Sequence, residues 1–158
     1  MTRGASAAVL ATAALACAPE APGPVAPTTV ASGTAQGSAP VDGDEPSLVG
    51  GLAYFDSPAH RGRVVVRLTT WTAADCAVHG DGLALEVPVD DGNGTWRSSW
   101  WDCTEEACAT IDHPLTRLTL TAVGNGIGER IEGAIDVLDA DDQVVGSVVF
   151  DVPYCGPR

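Results

Sequence analysis

The stretch that decides the fold is TRLTLTAV at residues 116–123, which is followed closely by ERIEGAIDVL at residues 129–138. Polar and apolar residues alternate along both segments. This period of two is typical of a β-strand that has one face buried and the other face in water. The residues expected to point inward are Leu118, Leu120, Ala122, Ile131, Ile135 and Val137. The two segments therefore predict neighbouring strands on one side of a core.

The same pattern recurs along the C-terminal two thirds of the chain. Seven strands are predicted, at residues 48–55, 63–70, 83–89, 95–101, 116–123, 129–138 and 144–152. The segments between several of them are turn sequences, such as DDGNG at residues 90–94 and DADD at residues 139–142. No segment shows a helical period over the length of a helix. The expected fold is all-β, an antiparallel sandwich or small barrel of about seven strands, stapled by disulfides.

Alternation also assigns the faces of the remaining strands. Further residues expected to point inward are Val64, Val66, Leu68, Leu83, Leu85, Val87, Val89, Val148, Phe150 and Val152. In the strand at residues 63–70, the opposite face carries Arg63, Val65, Arg67 and Thr69. We expect that opposite face to be in contact with water.

The charge of the chain excludes several classes of function. Among 158 residues there are 21 acidic and 8 basic side chains, for a formal net charge of -13, and all the basic residues are Arg. Such a chain does not neutralise nucleic-acid phosphates or bind an anionic lipid surface. Without Lys it has neither a Schiff-base nucleophile nor a P-loop lysine.

The front of the chain has the composition of an export signal followed by a linker. Residues 1–17 begin with a positive charge at Arg3 and continue as an Ala-rich apolar run that is too short to cross a bilayer. Residues 18–47 are rich in Pro, Ala, Gly and Ser and predict a disordered tether. Residues 48–158 are expected to form the β domain.

Ala14-Leu15-Ala16-Cys17 resembles the lipobox of bacterial lipoproteins. The resemblance implies that Cys17 is lipidated and becomes the mature N-terminus. It also implies that Ala18, which is not Asp, directs the protein to the outer membrane. Ala14-Leu15-Ala16 equally satisfies the small-x-small rule of ordinary signal peptidase, so plain secretion remains the alternative. If Cys17 is lipidated, this N-terminal lipid is the only contact with a membrane that the sequence predicts.

Cysteine parity supports lipidation. Of the five Cys, four lie in the predicted domain and can pair in an oxidising compartment, which leaves Cys17 over. Three connectivities are open for the four. Cys103–Cys108, which closes a short loop, together with Cys76–Cys155, which ties an early loop to the tail, is favoured. The alternative, a zinc site, lacks paired ligands beside Cys76 and Cys155.

Four Trp are the most unusual feature of the composition. On a strand, Trp96 and Trp100 share one face and Trp101 points to the other. We consider core packing and a binding patch of Trp96, Trp100 and Trp101 as the two alternatives. Exposed Trp beside carboxylates suits sugar rings or a protein hot spot.

Candidates for catalysis or metal binding are sparse. His60, His79 and His113 lie in separate loops, without metal-motif spacing, and no serine has a nucleophile setting. Asp139, Asp141 and Asp142 crowd one turn, and Asp90, Asp91 and Asn93 crowd another. Such oxygen clusters suit Ca²⁺, although Asp and Asn also favour turns for their own sake. The sequence therefore predicts no catalytic residue and no cofactor, with calcium at Asp139, Asp141 and Asp142 as a weak candidate.

Taken together, these patterns predict an acidic, membrane-tethered envelope lipoprotein. Its domain is expected to have a non-catalytic binding or structural role, with an envelope protein or polysaccharide as partner and no nucleic acid. The alternatives are a carbohydrate-binding module that uses exposed Trp, a calcium-binding β domain or, less favoured, a small hydrolase or metal-dependent enzyme. The enzyme hypothesis requires the three His to converge with carboxylates in one pocket.

Overall fold

The computed structural model describes residues 30–56, 63–72, 76, 80–89, 92–124 and 126–157. This part of the chain contains ten strands and no helix. The strands are β1 Gly33–Ser38, β2 Ser47–Asp56, β3 Arg63–Thr69, β4 Gly82–Pro88, β5 Gly94–Arg97, β6 Ser99–Cys103, β7 Cys108–Asp112, β8 Leu115–Val123, β9 Arg130–Leu138 and β10 Val144–Pro157. The predicted signal, Cys17, His60, His79, Asp90 and Asp91 lie outside the described residues.

All ten strands form one sheet, in the order β5-β8-β9-β10-β1-β2-β3-β4-β6-β7. The two strands at its ends belong to a single hairpin, because β5 and β6 are separated only by Ser98, and β7 and β8 only by residues 113–114. The Ser98 amide donates to the Pro114 carbonyl oxygen at 2.9 Å, which keeps the hairpin paired through this bend. The sheet therefore curls into a half-barrel whose ends converge on the hairpin.

The prediction of an all-β antiparallel fold is confirmed, but the number of seven strands is wrong. The strand predicted at residues 95–101 is two strands, interrupted at Ser98. Strand β7 was not predicted, because most of its side chains are exposed and give no alternation. The described strands form one continuous sheet, so the architecture is not a sandwich of two separate sheets.

Strand β1 lies inside the segment that was expected to be a disordered tether. It pairs antiparallel with β10 on one side and with β2 on the other. Backbone hydrogen bonds to a neighbouring strand on each side hold β1 in the sheet. Because β1 has no alternating row of apolar side chains, the sequence pattern did not reveal it. Small residues are required here, since a Cβ on Gly33 would lie 2.0 Å from the Gly51 carbonyl oxygen. The β domain therefore begins well before Leu48, and the predicted boundary is wrong.

The core fills the inside of the curled sheet. The inward positions predicted from alternation line it, with one exception. Its largest fully buried side chains include Trp100, Leu68, Leu85, Leu118, Ile131, Ile135 and Val148. The exception is Ala122, which is exposed because the pairing of β8 with β9 shifts register between Leu120 and Ala122. Such a bulge reverses which face the following residues occupy.

The second face of β3 is buried as well, contrary to the prediction that it contacts water. Val65, Arg67 and Thr69 are all nearly inaccessible. On this face Leu52, Tyr54 and Val65 form a second apolar cluster, and Cys155 from the end of β10 packs against it. Alternation predicted the two faces correctly, but it could not indicate that the tail of the chain covers the outer one.

Candidate functional site

Two disulfides connect the pairs that the sequence favoured, Cys76–Cys155 and Cys103–Cys108. The first joins the segment after β3 to the end of β10, across 79 residues of sequence. The second closes the turn between β6 and β7, across five residues. Because all four sulfurs are in disulfides, the alternative of a zinc site on these cysteines is wrong.

A buried polar cluster lies on the outer face of β2, β3 and β4. Its centre is the Arg67 side chain, which is 4 % exposed. The Arg67 Nη1 donates to Glu86 Oε1 at 2.8 Å, and the Tyr54 hydroxyl donates to the same oxygen. An ion pair removed from water in this way is costly to break, because either partner left alone would be a buried charge.

The rest of the Arg67 guanidinium is poorly satisfied. Its Nη2 points at the Cys103–Cys108 disulfide, 2.8 Å from Cys103 Sγ and 2.9 Å from Cys108 Sγ. Disulfide sulfur is a weak acceptor. The Arg67 Nε is buried and has no partner. The sequence did not reveal this cluster, because Arg67, Glu86 and the disulfide belong to four different strands and share no local motif.

The position of Tyr54 also perturbs its titration. Burial, together with the neighbouring Glu86 carboxylate, raises the pKa of the Tyr54 phenol well above its ordinary value. The folded protein therefore keeps the phenol proton at pH values where the unfolded chain releases it. The contribution of this group to stability is constant below the ordinary pKa of Tyr and is lost as pH rises above it.

We expect the free energy of unfolding to fall as pH rises above about 10, the ordinary pKa of Tyr, by up to about 1.4 kcal/mol per pH unit from this group. The Tyr54→Phe variant has no phenol proton to lose at this position. Urea unfolding of both proteins between about pH 9 and pH 11 tests this expectation. A slope that is equally steep in the variant would contradict it.

An open groove lies on the outer surface of the other half of the sheet, with a volume of about 560 Å³. One cross-strand row runs along it, formed by Thr119 on β8, Ala134 on β9, Val149 on β10 and Gln36 on β1. Val49 of β2 continues the lining. We call this surface the outer groove. Its residues come from five strands in two widely separated parts of the sequence, so no local sequence pattern could have predicted it.

The outer groove combines exposed apolar side chains with negative charge. Val149 is 62 % exposed and Val49 is 46 % exposed. Glu132 and Asp151 are two further lining residues. The Asp151 carboxylate accepts from Arg130 Nε, whose guanidinium also donates to the Asp151 carbonyl oxygen at 2.6 Å. The lining thus combines exposed valines with the Glu132 carboxylate and the Asp151–Arg130 ion pair.

The Trp side chains are largely occupied by packing. Trp100 is fully buried and Trp96 packs against the same core, as the shared-face prediction implied. The Trp96 Nε1 donates to the Gly92 carbonyl oxygen at 3.1 Å. Trp101 is half-buried on the opposite face, and its buried Nε1 has no partner. The three proposed binding residues therefore do not form an exposed aromatic platform.

In the acidic turn after β9, the Asp139 carboxylate forms hydrogen bonds with the backbone of the same turn. Asp139 Oδ1 accepts from the amides of Asp141 and Gln143, both at 2.9 Å. Asp142 has a positive φ of 59°, which Asp tolerates in turns. Among the described residues, no group of three or more His, Cys, Asp or Glu side chains is arranged to hold a metal ion. The geometry at Asp139, Asp141 and Asp142 is that of a self-capped turn.

One histidine contact was not foreseen. The His113 Nδ1 lies 3.1 Å from Ser99 Oγ at the bend of the long hairpin. The Asp112 carboxylate accepts from the backbone amide of His113, at 2.7 Å. The Asp112 carboxylate therefore bonds to the backbone of His113. In a Ser-His-Asp triad the carboxylate instead accepts a hydrogen bond from the imidazole ring. His113 is exposed, and the other two histidines lie outside the described residues.

In comparisons with known proteins, no family model, no curated protein and no solved structure matches this chain. Within the part of the chain that the structure describes, no helix has the length and apolar character needed to cross a membrane.

Proposed function

We propose that this chain is an exported, lipid-anchored protein of a bacterial outer membrane, whose β domain binds a protein partner through the outer groove and carries out no catalysis. The observation that supports the proposal is the pair of exposed valines, Val49 and Val149, in an open groove on a disulfide-braced sheet. Exposed apolar side chains that line one groove are typical of interaction surfaces.

The charge of the protein favours a basic partner. The net charge is -13, and two of the described arginines, Arg67 and Arg130, are already paired with carboxylates. Glu132 adds negative charge within the groove itself. A negative surface steers a cationic protein toward it and disfavours acidic competitors. A carbohydrate ligand has less support, because the described residues that line the groove include no Trp or Tyr.

Binding through the outer groove predicts that a bulky cation placed in its lining weakens capture. The oxidised protein, immobilised, is incubated with solubilised envelope proteins and separately with envelope polysaccharide. We expect Val149→Arg to reduce retention of a basic protein by about tenfold or more, by steric and charge repulsion. Val144→Arg is the matched control, since Val144 is also exposed on β10 but does not line the groove.

Equal retention by both variants would contradict the groove as the binding site. Retention of polysaccharide alone, lost in Val149→Arg, would instead support a glycan ligand. Weaker retention at higher salt is expected if negative charge steers the partner.

Anchoring through Cys17 gives an independent prediction. Cells that grow with labelled palmitate are expected to incorporate the label into the wild-type protein and not into the Cys17→Ser variant. The variant is expected to leave the membrane fraction, because it lacks the lipid that is proposed to anchor the protein in the bilayer. An unlabelled wild-type protein would support plain secretion.

A further inference from the structure

We propose that the Cys103–Cys108 disulfide is a reversible redox site, which an exported dithiol opens by attack at Cys108 with release of the Cys103 thiolate beside Arg67. This inference is independent of the outer groove. It stands on the contacts of the Arg67 guanidinium and on the unequal exposure of the two cysteine residues.

The guanidinium is better satisfied by the reduced state than by the oxidised one. Arg67 Nη2 lies within 2.9 Å of both sulfurs. In the disulfide these sulfurs are weak, neutral acceptors, whereas a thiolate is an anion that forms a charge-assisted hydrogen bond. A cation in contact with a cysteine stabilises its thiolate and makes it a better leaving group. The unpartnered Arg67 Nε shows that this buried cation has hydrogen-bonding capacity left over.

The two cysteine residues differ in exposure, and this difference favours attack at Cys108. Cys103 is 3 % exposed, whereas Cys108 is half-buried at the start of β7. Residues 104–107, which connect them, are all exposed. An incoming thiolate therefore reaches Cys108 more easily, and the sulfur that it displaces is the buried Cys103, whose Sγ lies 2.8 Å from Arg67 Nη2.

The exchange proceeds in two steps. A thiolate of the dithiol donates an electron pair to Cys108 Sγ, forming a mixed disulfide, while the bond between the two protein sulfurs breaks and its electron pair leaves on Cys103. The second thiol of the reductant, once deprotonated, attacks its own mixed-disulfide sulfur and releases Cys108, which takes a proton from water. Two electrons pass from the dithiol to the protein, and the dithiol ends as a disulfide.

The domain has the means to remain folded while this bridge is open. The hairpin keeps its turn through the Thr104 amide, which donates to the Ala107 carbonyl oxygen at 2.8 Å. The other bridge, Cys76–Cys155, has a different environment. Its Cys155 Sγ lies 3.8 Å from the Pro153 carbonyl oxygen, a negative dipole that disfavours a thiolate. The two disulfides should therefore differ in how readily they are reduced.

A redox titration of the full oxidised chain tests the proposal. The protein is equilibrated in buffers of reduced and oxidised dithiothreitol at neutral pH, free thiols are alkylated, and each bridge is followed by peptide mass spectrometry. We expect Cys103–Cys108 to be half-reduced at a dithiol-to-disulfide ratio about tenfold or more below that for Cys76–Cys155, with the circular dichroism of the folded protein unchanged. Simultaneous opening of both bridges, or opening only on unfolding, would overturn the proposal.

A second measurement isolates the part played by Arg67. In the Cys108→Ser variant, the Cys103 thiol is followed by the ultraviolet absorbance of its thiolate as pH is raised. We expect its titration midpoint below the ordinary value of about 8.5. A midpoint at or above that value would show that the guanidinium does not stabilise the thiolate. This test keeps Arg67 in place and so does not depend on whether an Arg67 variant folds.

Discussion

Replacing Arg67 with Met is expected to lower the free energy of unfolding by about 3 kcal/mol, because it leaves the Glu86 carboxylate, whose side chain is only 14 % exposed, without its cation. Met preserves much of the length of the side chain, so the loss reports mainly the missing charge and hydrogen bonds. Urea unfolding of the two oxidised proteins measures the difference. The double variant Arg67→Met with Glu86→Leu is expected to regain most of the loss, since a buried ion pair replaced by apolar groups is often neutral in stability.

Arg130→Met is the matched control for this prediction. Arg130 also pairs with a carboxylate, that of Asp151, but the two side chains are 30 % and 47 % exposed. Exposed pairs of this kind contribute at most about 1 kcal/mol. If Arg67→Met cost no more than Arg130→Met, the buried cluster would not be a main source of stability.

Removing the long-range disulfide is expected to cost about twice as much stability as removing the short one. In the chain-entropy model, a bridge across 79 residues stabilises by about 4–5 kcal/mol and one across five residues by about 2 kcal/mol. The variants are Cys76→Ser with Cys155→Ser, and Cys103→Ser with Cys108→Ser, each compared with the wild type by urea unfolding. Each double variant serves as the control for the other.

The structure adds a second reason for the same ordering. Cys155 packs against the apolar cluster of Leu52, Tyr54 and Val65, so opening its bridge also loosens the cover of the outer face. The tip of the β6–β7 hairpin is exposed, so opening the Cys103–Cys108 bridge uncovers less apolar surface than opening the Cys76–Cys155 bridge. Equal losses in the two variants, or a larger loss for the short bridge, would contradict this account of what holds the domain together.

Most of the strands could be predicted from the sequence, because their side chains alternate between core and surroundings. Ile131, Ile135 and Val148, for example, are buried where the period of two placed them. Strands β1 and β7 could not be predicted in this way, since backbone pairing holds them and few of their side chains are buried. Of the three cysteine pairings that the sequence left open, the favoured one is the one that the structure contains.

The candidate sites were much less predictable than the strands. Alternation placed Arg67 on the outer face but could not show that Cys155 and its bridge help to bury that face. The outer groove depends on register across five strands, as in the pairing of Ala134 with Val149, which no local pattern encodes. Trp101 was correctly separated from Trp96 and Trp100, yet its exposure depended on neighbours that the sequence did not identify.

The measurement that tests the central claim most directly is site-specific photo-crosslinking in cells that export the full chain. A photoreactive amino acid is placed at Val149 in the outer groove, and in a parallel strain at Val144 on the same strand outside it. The account predicts a discrete adduct with a basic envelope protein from position 149 and none from position 144. No adduct from position 149, or the same adducts from both positions, would contradict binding through the outer groove.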